Sequence, residues 1–172
     1  IRLLETLDAS HRGAFYDGIG ALRDVGQNHL LQMLAFVTMG RPESFSAADI
    51  RASRKKLLRT LEVFSEDEVK RHTFRAQYKE FRDTEGVAKN SETETYFYSH
   101  AFLDHPRWRG VPITLEAGKG MHEQRKEIVI TFRPPPPCVC PTDAVHQKTH
   151  SIFRSAPAEA SKLHFWAKEP GC

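Results

Sequence analysis

Apolar and polar residues follow a helical period in the first part of this chain and a strand-like period in the remainder. Across residues 15–39, apolar side chains recur every three to four positions, which predicts one long helix with a buried face. The members of this stripe are Leu22, Val25, His29, Met33 and Phe36. His29 is therefore predicted to be buried. Ser46, followed by Asp49, predicts the N-cap of a second helix that ends near Leu61.

Short alternating segments rich in β-branched and aromatic residues follow these helices and predict strands. The segments are residues 73–78, 95–102, 113–117, 127–133, 151–154 and 162–167. The polar residues 82–94 predict a solvated loop, and the four prolines at 134–137 break the sheet because proline has no N–H to donate. Helices followed by a run of strands predict an α+β fold, in which long N-terminal helices pack on a largely antiparallel sheet.

Composition and charge restrict the class of protein. A chain of 172 residues suits a single domain over 1–172, and its net charge of +3, with acidic and basic residues interspersed, predicts no nucleic-acid partner. No apolar run approaches the ~20 residues that span a bilayer, and no signal peptide opens the sequence, so no membrane association is expected. Three cysteines are an odd number, which favours a reducing cytoplasm over a disulfide framework.

Single residues give only weak evidence for a catalytic or metal site in this sequence. A histidine on an apolar helix stripe is more often a core residue than a general base, and isolated acidic or basic residues are usually surface charge. Cys138-x-Cys140 followed by His146-x-x-x-His150 offers four zinc donors, but the spacing is loose. We therefore expect no metal site, and a zinc-binding module is the least favoured hypothesis.

Longer motifs carry a resemblance to a known family. Asp24-Val25-Gly26-Gln27-Asn28-His29 follows Arg12-Gly13-Ala14-Phe15-Tyr16-Asp17, and later segments read Arg107-Trp108-Arg109-Gly110-Val111-Pro112, Gly118-Lys119 and Glu127-Ile128-Val129-Ile130-Thr131-Phe132. Together they resemble the C-terminal substrate and dimerisation domain of the glucose-6-phosphate dehydrogenase family. The resemblance covers essentially the whole chain, and part of a full family member.

The resemblance implies roles for five residues. His29 would be the general base that removes the C1 hydroxyl proton of glucose 6-phosphate while hydride passes to NADP. Glu5 and Asp24 would hold sugar hydroxyls, Lys119 would contact the substrate, and Arg12 would lie on the cofactor side. The product would be 6-phosphogluconolactone, in the pentose phosphate pathway of glucose metabolism.

The resemblance also implies a homodimer formed through the β-sheet. The residues themselves favour packing of one sheet face over a stacking platform for the aromatic side chains Tyr96, Phe97, Tyr98, Phe102 and Trp108. The family's nucleotide-binding segments do not occur in this sequence. The chain is therefore expected to be a fragment that has no dehydrogenase activity alone and acts within a longer enzyme.

Three positions depart from the family pattern. Gln124 stands where the family has a basic residue, Ala156 where it has glutamine, and Glu116 where it commonly has arginine. Gln124 and Ala156 favour the alternative hypothesis, a catalytically inactive, truncated dimerisation or interaction module.

Overall fold

The structure is a computed structural model that describes residues 1–133 and 148–165. The chain divides into two compact units, Ile1–Gln124 and Arg125–Cys172. The helical elements are α1 (Gly13–Asp17), a π-helical segment (Leu22–Leu30), α2 (Leu31–Thr38), α3 (Ala47–Leu58), α4 (Glu66–His72) and a 3-10 turn (Phe81–Asp83). The strands are β1 (Arg2–Leu4), β2 (Thr73–Ala76), β3 (Tyr96–Ala101), β4 (Ile113–Gly118), β5 (Arg125–Thr131), β6 (His150–Ala156) and β7 (Ala160–His164).

In the first unit, four strands pair in the order β2-β3-β4-β1. The first three are antiparallel neighbours, whereas β1 lies parallel to β4 with Arg2 opposite Glu116. The sequence did not predict β1, because a strand of three residues is too short to display an alternating pattern. Its parallel pairing brings the C-terminal ends of β1 and β4 to the same edge of the sheet.

In the second unit, β5, β6 and β7 form an antiparallel meander, with a register shift between Lys126 and Glu127. Glu127 is 4% exposed and its carboxylate accepts a hydrogen bond from Arg154 Nη2 at 3.1 Å. Every strand predicted in the described residues is present, with shifted ends. The α+β class with largely antiparallel pairing is confirmed.

The single long helix predicted for residues 15–39 is wrong. Helix α1 ends at Asp17, a turn follows, and Gly20 adopts φ +76°, a left-handed conformation that suits glycine and interrupts a helix. The chain then re-enters a helix whose Leu22–Leu30 part is π-wound, shown by the bond from Leu31 N–H to the Gly26 carbonyl five residues back.

The predicted buried stripe is confirmed at Val25, which is buried, and Met33 is half-buried against the core, but His29 is exposed. Leu22 and Phe36 are about half exposed, at 51% and 52%. The buried positions are Ala21, Val25, Gly26, Leu30, Leu34, Ala35 and Thr38. Within the π-helical segment, the step of five residues from Val25 to Leu30 is wider than the α-helical period, because the π winding carries more residues per turn.

The next two helices begin at serine caps. Ser46 caps α3 by accepting a hydrogen bond from Asp49 N–H at 3.1 Å, as predicted, although α3 ends at Leu58. Helix α4 was not predicted because it has no buried residue and therefore no apolar stripe. Ser65 and Glu68 form a capping box at its start.

The main core lies between the π-helical segment and one face of β3 and β4. Phe97 is 3% exposed in this core, while its neighbours Tyr96 and Tyr98 are half-buried on the opposite face. The aromatic residues therefore do not pack one sheet face, because successive strand residues alternate. Trp108 belongs to a second cluster, where its indole N–H donates to the Thr38 carbonyl at 2.8 Å.

The sequence predicted neither a membrane-spanning helix nor a metal site. Within 1–133 and 148–165, no helix is long and apolar enough to cross a membrane, and no group of three or more metal-ligating side chains converges. Cys138, Cys140 and His146 of the weak zinc motif lie outside the described residues.

Candidate active site

An ion pair joins the two strands that end together at one sheet edge. Glu5 directly follows β1 and donates its backbone N–H to the Gly118 carbonyl at 2.9 Å, while Lys119 directly follows β4. Lys119 Nζ lies 2.8 Å from Glu5 Oε2, and the two side chains are only 15% and 21% exposed. Two of the predicted substrate-binding residues are therefore in direct contact, in a partly desolvated position where charge interactions are stronger than in water.

Tyr16 of α1 lies beneath this ion pair. Lys119 Nζ sits over the Tyr16 ring, 5.7 Å from its centroid, and Tyr16 is 1% exposed. The Tyr16 ring packs edge-on against Phe81, with centroids 6.1 Å apart. The sequence placed Tyr16 in the family motif but assigned it no role.

The Tyr16 hydroxyl is buried and has no hydrogen-bond partner among the described residues. Burial raises the pKa of Tyr16 above its ordinary value of 10.0, and the charges of Asp24, Glu94 and Glu5 raise it further. The phenol therefore stays protonated at neutral pH and remains a potential hydrogen-bond donor.

The raised pKa of Tyr16 predicts a loss of stability in alkali. Above pH 10.0 the unfolded chain releases the phenol proton and the folded chain retains it, so ionisation favours unfolding. The stabilisation present below that pH is therefore lost as the pH rises. In urea unfolding series on either side of pH 10, we expect the parent chain to lose stability more steeply than Tyr16→Phe. Equal slopes would contradict the assignment.

The π-helical segment carries the other two residues of the predicted substrate site. Residues five apart lie nearer the same side of a π-helix than of an α-helix, in which they are about 140° apart around the axis. The π winding therefore brings half-buried Asp24 and exposed His29 closer to one side of the segment. This arrangement could not be read from the sequence under an α-helical period.

Glu94 holds the start of this helical segment in place. Its carboxylate accepts a hydrogen bond from Leu22 N–H at 3.0 Å, and its carbonyl accepts from Ala21 N–H at 2.9 Å. A side-chain carboxylate also interacts favourably with the positive end of a helix. This positioning role was missed from the sequence, because Glu94 lies in a polar stretch with no recognisable motif.

His29 is accessible to a ligand. No described residue forms a hydrogen bond with its imidazole, so nothing in the described part of the chain fixes which ring nitrogen carries the proton. Arg12, the predicted cofactor-side residue, is also exposed, and its guanidinium lies over the Phe15 ring at 4.4 Å from the centroid. The structure thus brings Glu5 and Lys119 together, and leaves His29 and Arg12 open to solvent.

A separate pocket of about 450 Å³ lies between the π-helical segment and the sheet. Its walls are mostly apolar and include Leu22, Leu61, Phe64, Phe97 and Leu115, and its polar lining residues are Arg23, Gln27, Glu62, Ser99 and His100. None of the five predicted site residues lines it. This pocket was not predicted from the sequence, since its lining comes from four separate segments of the chain.

Gln124 and Glu116 are two of the three positions that depart from the family pattern, and they lie in different surroundings. Gln124 is exposed, and the adjacent Arg125 already pairs with Glu127 at 3.8 Å. Glu116 accepts hydrogen bonds from Arg2 Nε at 3.0 Å and from the Tyr96 hydroxyl at 2.9 Å. Glu116 therefore has a structural role in the outer face of the sheet.

Comparison with known proteins relates this chain to one domain family. A family model described as the glucose-6-phosphate dehydrogenase C-terminal domain matches residues 1–172. Among curated proteins, glucose-6-phosphate 1-dehydrogenase of Borreliella burgdorferi is 33% identical over 181 residues, covering 99% of this chain and 38% of the relative. The Dictyostelium discoideum protein of the same name is 35% identical over 175 residues, covering 99% and 35%.

Solved structures agree with these sequence relatives. A glucose-6-phosphate 1-dehydrogenase from Mycobacterium avium superposes with a TM-score of 0.87 at 32% identity, over 99% of this chain and 37% of that chain. A glucose-6-phosphate dehydrogenase in complex with its substrate, glucose 6-phosphate, gives a TM-score of 0.85 at 32% identity, over 99% and 35%. The chain therefore spans little more than a third of the length of the proteins that it matches.

Proposed function

Because this chain belongs to the glucose-6-phosphate dehydrogenase family, as its C-terminal domain, we propose that it binds glucose 6-phosphate and supplies the general base for its oxidation within a longer cytoplasmic enzyme. The observation that carries the proposal is the partly buried Glu5–Lys119 pair over Tyr16. It provides a cation and carboxylate oxygens at one sheet edge, the donor and acceptor types that a phosphorylated sugar requires.

The proton transfer is assigned to His29. An unprotonated ring nitrogen of His29 accepts the proton of the C1 hydroxyl as the C1 hydrogen leaves with its electron pair, and C1 becomes the carbonyl carbon of the lactone. Asp24, which the π winding brings closer to the side of the segment that carries His29, and Glu5 accept hydrogen bonds from sugar hydroxyls. Lys119 binds a substrate oxygen in exchange for part of its contact with Glu5.

The cofactor proposed is NADP, which when bound supplies the nicotinamide that takes up the hydride. Arg12 fits this group, because its exposed guanidinium lies over the Phe15 ring and can bind a phosphate oxygen. The described residues contain no glycine-rich turn between a strand and a helix to cradle a dinucleotide pyrophosphate. We therefore propose that most of the cofactor site is contributed from outside this chain.

The proposed partner is a second copy of the chain, bound through the outer face of the sheet. Phe74 of β2 is 61% exposed and packs edge-on against Tyr96 of β3, with centroids 6.2 Å apart. An exposed aromatic surface of this kind favours a homodimer, and would also serve the second candidate function, an inactive dimerisation module. Sedimentation equilibrium of the purified protein distinguishes a dimer from a monomer.

The proposed function is tested by the rate of NADP reduction in the full-length natural protein. We expect NADPH to accumulate with glucose 6-phosphate, and not with glucose plus inorganic phosphate. The reason is that binding of the phosphate group positions the C1 hydroxyl only when phosphate and sugar are parts of one molecule. A dimeric protein that reduces no NADP with glucose 6-phosphate would instead favour the inactive module.

A matched pair of lysine variants tests the assigned substrate contact. Lys119→Ala is expected to raise KM for glucose 6-phosphate by about 10- to 100-fold, since a hydrogen bond to a charged group contributes about 1.5–3 kcal/mol. Lys89→Ala removes an exposed lysine paired with Asp83 at 3.2 Å and is expected to leave KM unchanged. Equal KM values for the two variants would exclude Lys119 from the substrate site.

A further inference from the structure

The hydroxyl of Tyr16 is both buried and without a hydrogen-bond partner among the described residues. The whole side chain is 1% exposed. Buried polar groups are almost always hydrogen-bonded, and leaving one unpaired destabilises the fold. Phenylalanine would fill the same space without that cost. The hydroxyl is therefore a candidate donor for a hydrogen bond that the contacts among the described residues do not contain.

The ring of Tyr16 has a defined relation to the substrate site. Lys119 Nζ lies 5.7 Å from its centroid, within the range of about 6 Å over which an aromatic face attracts a cation. The same ammonium group lies 2.8 Å from Glu5. The ring is itself fixed by Phe81, which is fully buried. Tyr16 is thus a rigid platform under the lysine assigned to substrate binding.

The negative charges of three carboxylates, those of Asp24, Glu94 and Glu5, raise the pKa of Tyr16. Glu94 is engaged by Leu22 N–H at 3.0 Å, and Glu5 is engaged by Lys119. Asp24 is hydrogen-bonded to no described residue and has the largest electrostatic effect of the three on Tyr16. Both oxygens of the Asp24 carboxylate are therefore available to accept from the buried hydroxyl, whereas Glu94 and Glu5 each already have a partner.

We propose that Tyr16 is a positioning residue for the sugar, whose ring seats the Lys119 ammonium and whose hydroxyl donates to the Asp24 carboxylate in the substrate complex. This inference rests on the proposed function, because it assumes that Asp24 accepts a hydrogen bond from a sugar hydroxyl. One carboxylate oxygen faces the sugar, and the Tyr16 hydroxyl holds the other. This hydrogen bond forms in the substrate complex and not in the free protein, so it strengthens substrate binding without stabilising the free fold.

The test compares Tyr16→Phe with the parent in the full-length natural protein, by melting temperature without ligand and by the Kd for glucose 6-phosphate. We expect the melting temperature to rise by about 2 °C, because the unpaired hydroxyl is removed. We expect Kd to weaken by about 3- to 10-fold, because the bond to Asp24 is lost. A purely structural role would not move stability and affinity in opposite directions. Tyr16→Leu, which also removes the aromatic platform, is expected to weaken Kd further.

Tyr78→Phe is the matched control. The Tyr78 ring also packs edge-on against Phe81, at 5.6 Å, but its hydroxyl accepts a hydrogen bond from Ala9 N–H at 3.2 Å. This variant is expected to lower the melting temperature and leave Kd unchanged. In an Asp24→Ala background, which has no side-chain acceptor at position 24, Tyr16→Phe is expected to have much less effect on Kd, because the two residues act as one unit.

The possible failures are distinguishable. An unchanged Kd in Tyr16→Phe, with normal binding by the parent, would overturn the positioning role and leave the proposed function intact. Absence of glucose 6-phosphate binding by the parent would overturn the proposed function and the inference together.

Discussion

Replacing His29 with alanine in the full-length protein is expected to lower kcat for glucose 6-phosphate oxidation by about 10²- to 10⁴-fold, the usual contribution of a general base. KM is expected to stay within about threefold, because His29 acts on the proton transferred in the transition state, and Glu5, Asp24 and Lys119 supply most of the binding. The exposure of His29 makes the fold insensitive to the change. Steady-state rates of NADP reduction measure both constants.

Two variants control this experiment. His29→Gln retains a polar side chain that accepts no proton at neutral pH, so it is expected to be as impaired as His29→Ala. His11→Ala removes another exposed histidine of the same unit and is expected to leave kcat unchanged. If both His29 variants retained the parent kcat, the base would have to be a different group.

Gly13→Ala is expected to have the largest effect on stability, because α1 crosses the chain at residues 84–85 too closely for any side chain. A Cβ at position 13 would lie 2.1 Å from the Glu85 carbonyl oxygen and 2.9 Å from Thr84 Cγ2. Backbone cannot move aside as a flexible side chain does, so we expect a loss of about 3 kcal/mol. The gain in helix propensity, about 0.5–1 kcal/mol, is too small to compensate. Urea unfolding of the purified chain measures the difference.

Gly18→Ala is the matched control for Gly13→Ala, at the other end of the same helix. Gly18 has φ −80°, and an added Cβ would meet only the Phe15 carbonyl oxygen at 3.7 Å, an ordinary contact. The variant is therefore expected to be neutral or up to about 1 kcal/mol more stable. If the two variants unfolded at the same urea concentration, the close approach at Gly13 would not exist.

The strands and the serine caps were predictable from sequence because their signals are local. Alternation predicted β3 to β7 within a few residues, and Ser46 with Asp49 predicted the start of α3. The π-helical segment was not predictable in the same way, because its winding depends on tertiary contacts. Gly26 illustrates this: a Cβ there would lie 2.7 Å from Phe97 Cζ, so the segment packs directly on β3.

The candidate site was only partly predictable for a similar reason. The family resemblance identified His29, Asp24, Glu5, Lys119 and Arg12, but a sequence pattern does not state which of them touch. The Glu5–Lys119 contact depends on the parallel pairing of β1 with β4, whose partners are more than 110 positions apart in the chain. Tyr16 and Glu94 were missed because neither a buried unpaired hydroxyl nor a capping carboxylate leaves a sequence signature.

The most direct test of the account is the crystal structure of the full-length protein with glucose 6-phosphate. We expect the substrate to contact Lys119 Nζ, with sugar hydroxyls donating to Glu5 and Asp24 and the C1 hydroxyl facing His29. Binding of the sugar phosphate in the apolar pocket lined by Leu22, Phe97 and His100, away from these four residues, would contradict it.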